Sequence, residues 1–163
     1  MTFDEFLKYF GWRELTLAIE LKEYGIAAEV IDMIDRYGVR DKVIITSFKY
    51  EELVAAREYD KNIRLGLLYW GATDADRIEK LKKINAYQAC PKALDLTEDE
   101  LKLIYKNGFE CRAWGISDTE IMKKATDMGP TAFSMASPFG APGWPPWQTS
   151  ARRSPNGPRI FWT

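Results

Sequence analysis

Residues Leu15-Thr16-Leu17-Ala18-Ile19-Glu20-Leu21-Lys22 alternate between large apolar side chains and small or charged ones. Successive side chains of a β-strand point to opposite faces. Leu15, Leu17, Ile19 and Leu21 therefore share one face, and Thr16, Ala18, Glu20 and Lys22 the other. The apolar row suits a covering layer of helices. The second row is small at its start and ionised at its C-terminal end, as expected where a barrel interior opens into a site at the ends of its strands.

Working outward, similar runs recur at Lys42–Phe48, Arg64–Trp70, Ile84–Cys90, Glu110–Ile116 and Thr131–Met135. Amphipathic segments separate them, with apolar residues three and four apart, as in Ile26, Val30, Ile31, Ile34 and Tyr37. Helix starts are marked by Thr2/Glu5, Thr97/Glu100 and Ser117/Glu120 at capping-box spacing, and Asp74 opens a further helix. Gly11, Gly38, Gly108 and Gly129 fall where helices would end in a left-handed residue. Strand starts lie about 20 to 27 residues apart, room for a strand, a loop and a crossover helix, so the sheet is predicted to be parallel. An open nucleotide-binding sheet is disfavoured because neither GxGxxG nor GxxxxGK[ST] occurs. The expected fold is α/β: an incomplete TIM barrel with about six β/α units, where eight close a barrel.

Composition narrows the chemistry. The 163 residues carry 23 basic and 24 acidic side chains, a net charge of −1, and no histidine. That balance gives no footprint for nucleic acid or an anionic membrane, and no apolar run is long enough to span a bilayer. Two cysteines make no disulfide framework, so a reducing cytoplasm is the expected location. Cys90 and Cys111 read as small core residues, because no histidine is available to activate a thiol. Without histidine the chain lacks the commonest general acid/base and the commonest metal ligand. Composition also shifts near Pro138: residues 139–163 hold five of the eight prolines and three of the six tryptophans, with no acid and no lysine. Residues 1–138 are read as the barrel portion and 139–163 as an irregular Pro/Trp/Arg-rich tail.

Glu20 and Lys22 interrupt an otherwise apolar strand, and charges there are costly unless paired with each other or with a ligand. Two readings stand on spacing alone: a hard-metal ligand beside a phosphate-binding cation, or an ion pair at the barrel rim.

Ala18-Ile19-Glu20-Leu21-Lys22, Val43-Ile44-Ile45-Thr46-Ser47-Phe48, Leu65-Gly66-Leu67-Leu68 and Arg112-Ala113-Trp114 together resemble the ordered phrases of the glycerophosphodiester phosphodiesterase family. The resemblance runs from Thr2 to Pro138. It implies a TIM barrel that hydrolyses glycerophosphodiesters to glycerol 3-phosphate and an alcohol, in lipid metabolism, with a divalent metal such as Mg²⁺ or Ca²⁺. Glu20 matches the family's metal-binding glutamate and Lys22 its phosphate-contacting lysine. Trp114 matches a tryptophan near the active-site mouth, where Phe48 is a further substrate contact; Trp70 reads as rim packing. The resemblance also marks departures. The family's two catalytic histidines have no counterpart, so no catalytic residue is assigned to this chain, and the acidic residue of the family's closing Thr-Asp pair falls on Ala136. The expectation is a fragment or decayed copy, inactive as it stands, that binds a glycerophosphodiester or glycerol phosphate. The alternative is a non-catalytic anion-binding or assembly module from the same barrel, able to form homo-oligomers through exposed strand edges.

Overall fold

The structure is a computed structural model that describes residues 1–135 and 160–162. Apart from Ile160–Trp162, the tail expected over residues 139–163 lies outside the described residues, as does Ala136. The chain divides into two compact units, residues 1–64 with 160–162 and residues 65–135. The first unit contains α1 (Phe3–Phe10), β1 (Leu17–Leu21), α2 (Ala27–Arg36), a short 3₁₀ turn (Arg40–Lys42), β2 (Val43–Ser47) and α3 (Tyr50–Tyr59). The second contains β3 (Leu65–Tyr69), α4 (Ala75–Lys83), β4 (Gln88–Pro91), α5 (Glu98–Lys106), β5 (Glu110–Ile116), α6 (Thr119–Met128) and β6 (Ala132–Met135). A last strand, β7 (Ile160–Trp162), belongs to the first unit.

In the first unit β1 and β2 pair in parallel, with Leu17 opposite Val43 and Glu20 opposite Thr46. Leu17, Ile19 and Leu21 are buried, as are Val30, Ile31 and Ile34 of α2, so the strand's apolar row and the helix's apolar stripe supply the core. The strand begins two residues later than the alternation predicted: Leu15 is half exposed, and its N–H donates to the Arg13 carbonyl in a turn. Gly11 also differs from expectation. It ends α1 with φ of −62°, in the right-handed region. Glycine is needed there for close approach, since a Cβ would lie 2.6 Å from the Leu7 carbonyl oxygen and 2.9 Å from Val39 Cγ1. The remaining three glycines, Gly38, Gly108 and Gly129, are left-handed as expected.

The outer edge of β1 is paired, contrary to the expectation of an unpaired first strand. β7 runs antiparallel along it, with Ile19 opposite Trp162, Glu20 opposite Phe161 and Leu21 opposite Ile160. The physical reason lies in sequence: Ile160-Phe161-Trp162 is a β-favouring run that follows Pro158, the last proline, so three residues are free to donate to a sheet edge.

In the second unit the strands lie in the order β3-β4-β5-β6, all parallel, with Gly66 opposite Gln88, Gln88 opposite Glu110 and Arg112 opposite Ala132. β4 starts later than the predicted Ile84, because α4 closes through Asn85. That residue adopts φ of 46°, and the following Ala86 N–H reaches back to the Leu81 carbonyl, an ending in which asparagine takes glycine's place. Capping boxes form at Thr2/Glu5 and Thr97/Glu100, and Asp74 caps α4. For α6 the cap is Asp118 instead of Ser117; its carboxylate accepts from the Glu120 and Ile121 N–H groups, while the Ser117 hydroxyl donates to it. No helix among the described residues is long and apolar enough to cross a membrane.

Truncation after Pro138 removes β7 and leaves the β1 edge bare. The truncated chain is expected to self-associate with increasing concentration in light scattering while the full chain stays at lower mass; equal masses at every concentration would refute the protective role of β7.

Candidate functional site

Of the two ionised residues singled out by sequence, Glu20 lies on β1 and Lys22 directly follows it, and the first unit brings them together. Lys22 Nζ lies 3.5 Å from Glu20 Oε2. Glu20 is only 6% exposed, whereas the Lys22 side chain is 37% exposed, so the carboxylate is sunk and the ammonium faces outward. A pair placed this way keeps the buried charge compensated while one cationic group stays accessible.

The end of β1 is held by hydroxyls of β2. Ser47 Oγ donates to the Leu21 carbonyl at 2.7 Å and accepts from Lys49 N–H at 2.9 Å, and Thr46 Oγ1 donates to the Ile19 carbonyl at 3.4 Å. Phe48, between Ser47 and Lys49, is half-buried. Lys49 carries its ammonium over the Tyr24 ring, 3.8 Å from the centroid, which ties the loop after β1 to the loop after β2.

Glu52 completes this arrangement and was not singled out by sequence. It is buried on the first turn of α3, and its carboxylate accepts from the backbone N–H groups of Gly25 at 2.8 Å, Ile26 at 3.0 Å and Ala27 at 2.8 Å. α2 has no side-chain cap of its own, Ile26 standing at its N-cap, so a carboxylate from the next helix satisfies its orphan donors. Locally, a glutamate in a first turn reads as an ordinary dipole partner of its own helix. The one available signal was the missing cap at Ile26.

Trp114 and Trp70 are carried by the second unit. The Trp114 indole N–H donates to the Tyr69 carbonyl at 3.2 Å, and the Trp70 and Trp114 rings meet edge to face at 5.5 Å. Trp70 is 57% exposed and Trp114 half-buried. Gly115, with φ of 77°, accompanies a register shift between β5 and β6, and the bulge sets the direction of the strand at Trp114. Cys90 and Cys111 are both buried and free; burial pushes the Cys111 thiol up to about 12 and raises Cys90 against the opposing effect of Arg112.

The divalent metal implied by the resemblance finds a partial donor set. Among the described residues no three Asp, Glu, His or Cys side chains converge on one point. Glu20 supplies one carboxylate already facing a lysine, whereas Mg²⁺ and Ca²⁺ take about six or more oxygens. The described residues do not by themselves fit such an ion.

Comparison with known proteins bears on this geometry. The family model of the glycerophosphoryl diester phosphodiesterases matches residues 12–136, well over half of the chain. The chain belongs to this family. Among solved structures, a glycerophosphodiester phosphodiesterase from Parabacteroides distasonis superposes with a TM-score of 0.70 at 18% identity, covering 81% of this chain and 58% of its own. A phosphodiesterase from Oleispira antarctica, solved with the product sn-glycerol-3-phosphate, gives 0.67 at 20% identity, covering 80% and 54%. A glycerophosphodiester phosphodiesterase from Agrobacterium tumefaciens gives 0.62 at 14% identity, covering 82% and 56%. At these identities the likeness establishes the fold, which is α/β and that of an incomplete TIM barrel. The phosphodiesterase-family chain spans between 54% and 58% of the length of these structures. No curated protein matches it in sequence.

Two outcomes test the local geometry. Glu52→Gln is expected to lower stability by about 2 kcal/mol in urea unfolding, because hydrogen bonds to a charged group contribute roughly 1.5 to 3 kcal/mol; a change within 0.5 kcal/mol would refute the capping role. Both thiols should stay unmodified by a thiol reagent at pH 8 in the folded protein and react fully in denaturant, since burial holds them protonated.

Proposed function

We propose that this chain forms part of a glycerophosphodiester phosphodiesterase site and that its own contribution is to bind the phosphate of a glycerophosphodiester or of glycerol 3-phosphate. Lys22 is the phosphate contact. Glu20 holds the lysine in place and is the carboxylate offered toward a divalent ion, Mg²⁺ or Ca²⁺, whose other ligands lie outside the described residues. Phe48, in the same unit, is assigned as a substrate contact by the family resemblance; the resemblance assigns the same role to Trp114, which the second unit carries. The observation that carries the reading is the sunken Glu20 beside an outward Lys22 at the end of β1, inside a span matched by the family model.

Electrostatics supports the assignment of roles. A lysine provides a compact positive charge for a phosphate oxygen, and a buried carboxylate behind it fixes that charge without competing at the surface. Proton transfer to the leaving alcohol and activation of water call for a group that titrates near neutrality. The chain has no histidine, and burial keeps both thiols protonated. Hydrolysis of the diester is therefore assigned to a site completed by other residues, and the chain alone is proposed to bind without turning over.

Calorimetric titration with sn-glycerol 3-phosphate tests the reading. Saturable binding is expected, weakened about tenfold or more by Lys22→Met, as loss of one charge-assisted contact implies. The chain alone should release no sn-glycerol 3-phosphate from glycerophosphocholine with Mg²⁺ or Ca²⁺. Binding unchanged in Lys22→Met would remove Lys22 from the site, and metal-dependent release abolished by Glu20→Gln would replace the binding role with a catalytic one.

A further inference from the structure

We infer that Arg112 anchors a second anion site, in the second unit, for a small protonated oxyanion of the hydrogenphosphate class. Arg112 shares a strand face with Glu110 and Trp114, two residues to either side on β5. It is 6% exposed. Its Nη1 donates to Ser134 Oγ at 3.3 Å and its Nη2 to Cys90 Sγ at 3.8 Å. Both partners are neutral: a hydroxyl on β6 and, on β4, a buried thiol. The guanidinium Nε is buried with no hydrogen-bond partner. Among the described residues no carboxylate forms an ion pair with it, and residues 136–163 contain no Asp or Glu side chain. Glu110, the acid on the same strand face, is engaged elsewhere, accepting from Tyr87 OH at 2.7 Å and Gln88 Nε2 at 3.2 Å.

A guanidinium stays ionised at any accessible pH, so this is a buried positive charge without a countercharge in contact, a costly arrangement in a folded protein. An anion removes that cost. Its identity is narrowed by Gln88, two residues before Cys90 on β4, whose Oε1 is a second buried polar atom without a partner. The row of side chains thus holds an unused donor on Arg112 and an unused acceptor on Gln88. A ligand that satisfies both must accept from a guanidinium and donate to an amide oxygen. Hydrogenphosphate does both; sulfate, with no proton at neutral pH, does only the first. The inference does not rest on the phosphodiesterase reading, which assigns its phosphate to Lys22.

Thermal unfolding of the full chain carrying Lys22→Met, with the proposed substrate contact removed, reads this site separately. In excess phosphate at constant ionic strength its Tm is expected to rise by about 2 °C or more, and by less in sulfate. Adding Arg112→Met should abolish the phosphate response while leaving the Tm in chloride equal or higher, because an unpaired buried charge has been removed. Where that variant does not fold, Gln88→Leu serves instead, and is expected to erase the preference for phosphate over sulfate. No phosphate response in Lys22→Met, meaning that water alone serves these atoms, would overturn the inference. So would a response that persists in Arg112→Met, or a preference that survives Gln88→Leu. The titration of Lys22→Met with glycerol 3-phosphate is decided separately, so either result can fail without the other.

Discussion

The buried carboxylate of Glu52 is the contact on which the geometry at the end of β1 depends. A parallel strand must hand its chain to a crossover helix through a loop, and the first turn of that helix presents backbone N–H groups with no intrahelical partner. α2 has an isoleucine at its N-cap, so its donors are satisfied by tertiary structure: three N–H groups converge on one carboxylate from α3. The second unit repeats the device. Glu100 of α5 accepts from Thr73 N–H at 2.6 Å in the loop after β3, while also closing the capping box of its own helix. In each case the helix after the following strand holds the preceding βα loop, and in the first unit that loop directly follows Lys22.

Charge placement follows from this scaffold. The strand ends are where a barrel can admit ionised groups, because interior side chains there approach solvent. Glu20 is sunk and Lys22 is not, so the pair presents a cation with an anion behind it. Arg112 is as buried as Glu20, and among the described residues its hydrogen-bond partners are neutral, which gives its charge a different meaning.

Much of the fold was legible because its signals are periodic and local. Six of the seven strands, and the helix starts at Thr2, Asp74 and Thr97, follow from alternation, capping boxes and the residue types at helix ends; the later start of β4 reflects Asn85 doing the work expected of glycine. Asp118 displaced Ser117 as the cap of α6 because its carboxylate reaches two backbone N–H groups at once. Gly11 was placed correctly and explained wrongly: its necessity comes from Val39, 28 positions away, which no local pattern reports. β7 was hidden for a related reason. Three β-favouring residues after a proline-rich stretch make a strand only where an edge is available to receive them.

By itself, the sequence determined the alternating strand and helix units, the parallel sense of their pairing, and the presence of a carboxylate and a lysine on one face at the end of β1. These depend on side-chain period and residue type, properties of short segments. Tertiary structure decided how deeply each charge is buried, that Glu52 caps the preceding helix, that β7 covers the edge of β1, and that Arg112 meets no carboxylate among the described residues. Those outcomes depend on which distant segments arrive at the same place, and neither spacing nor composition encodes that meeting.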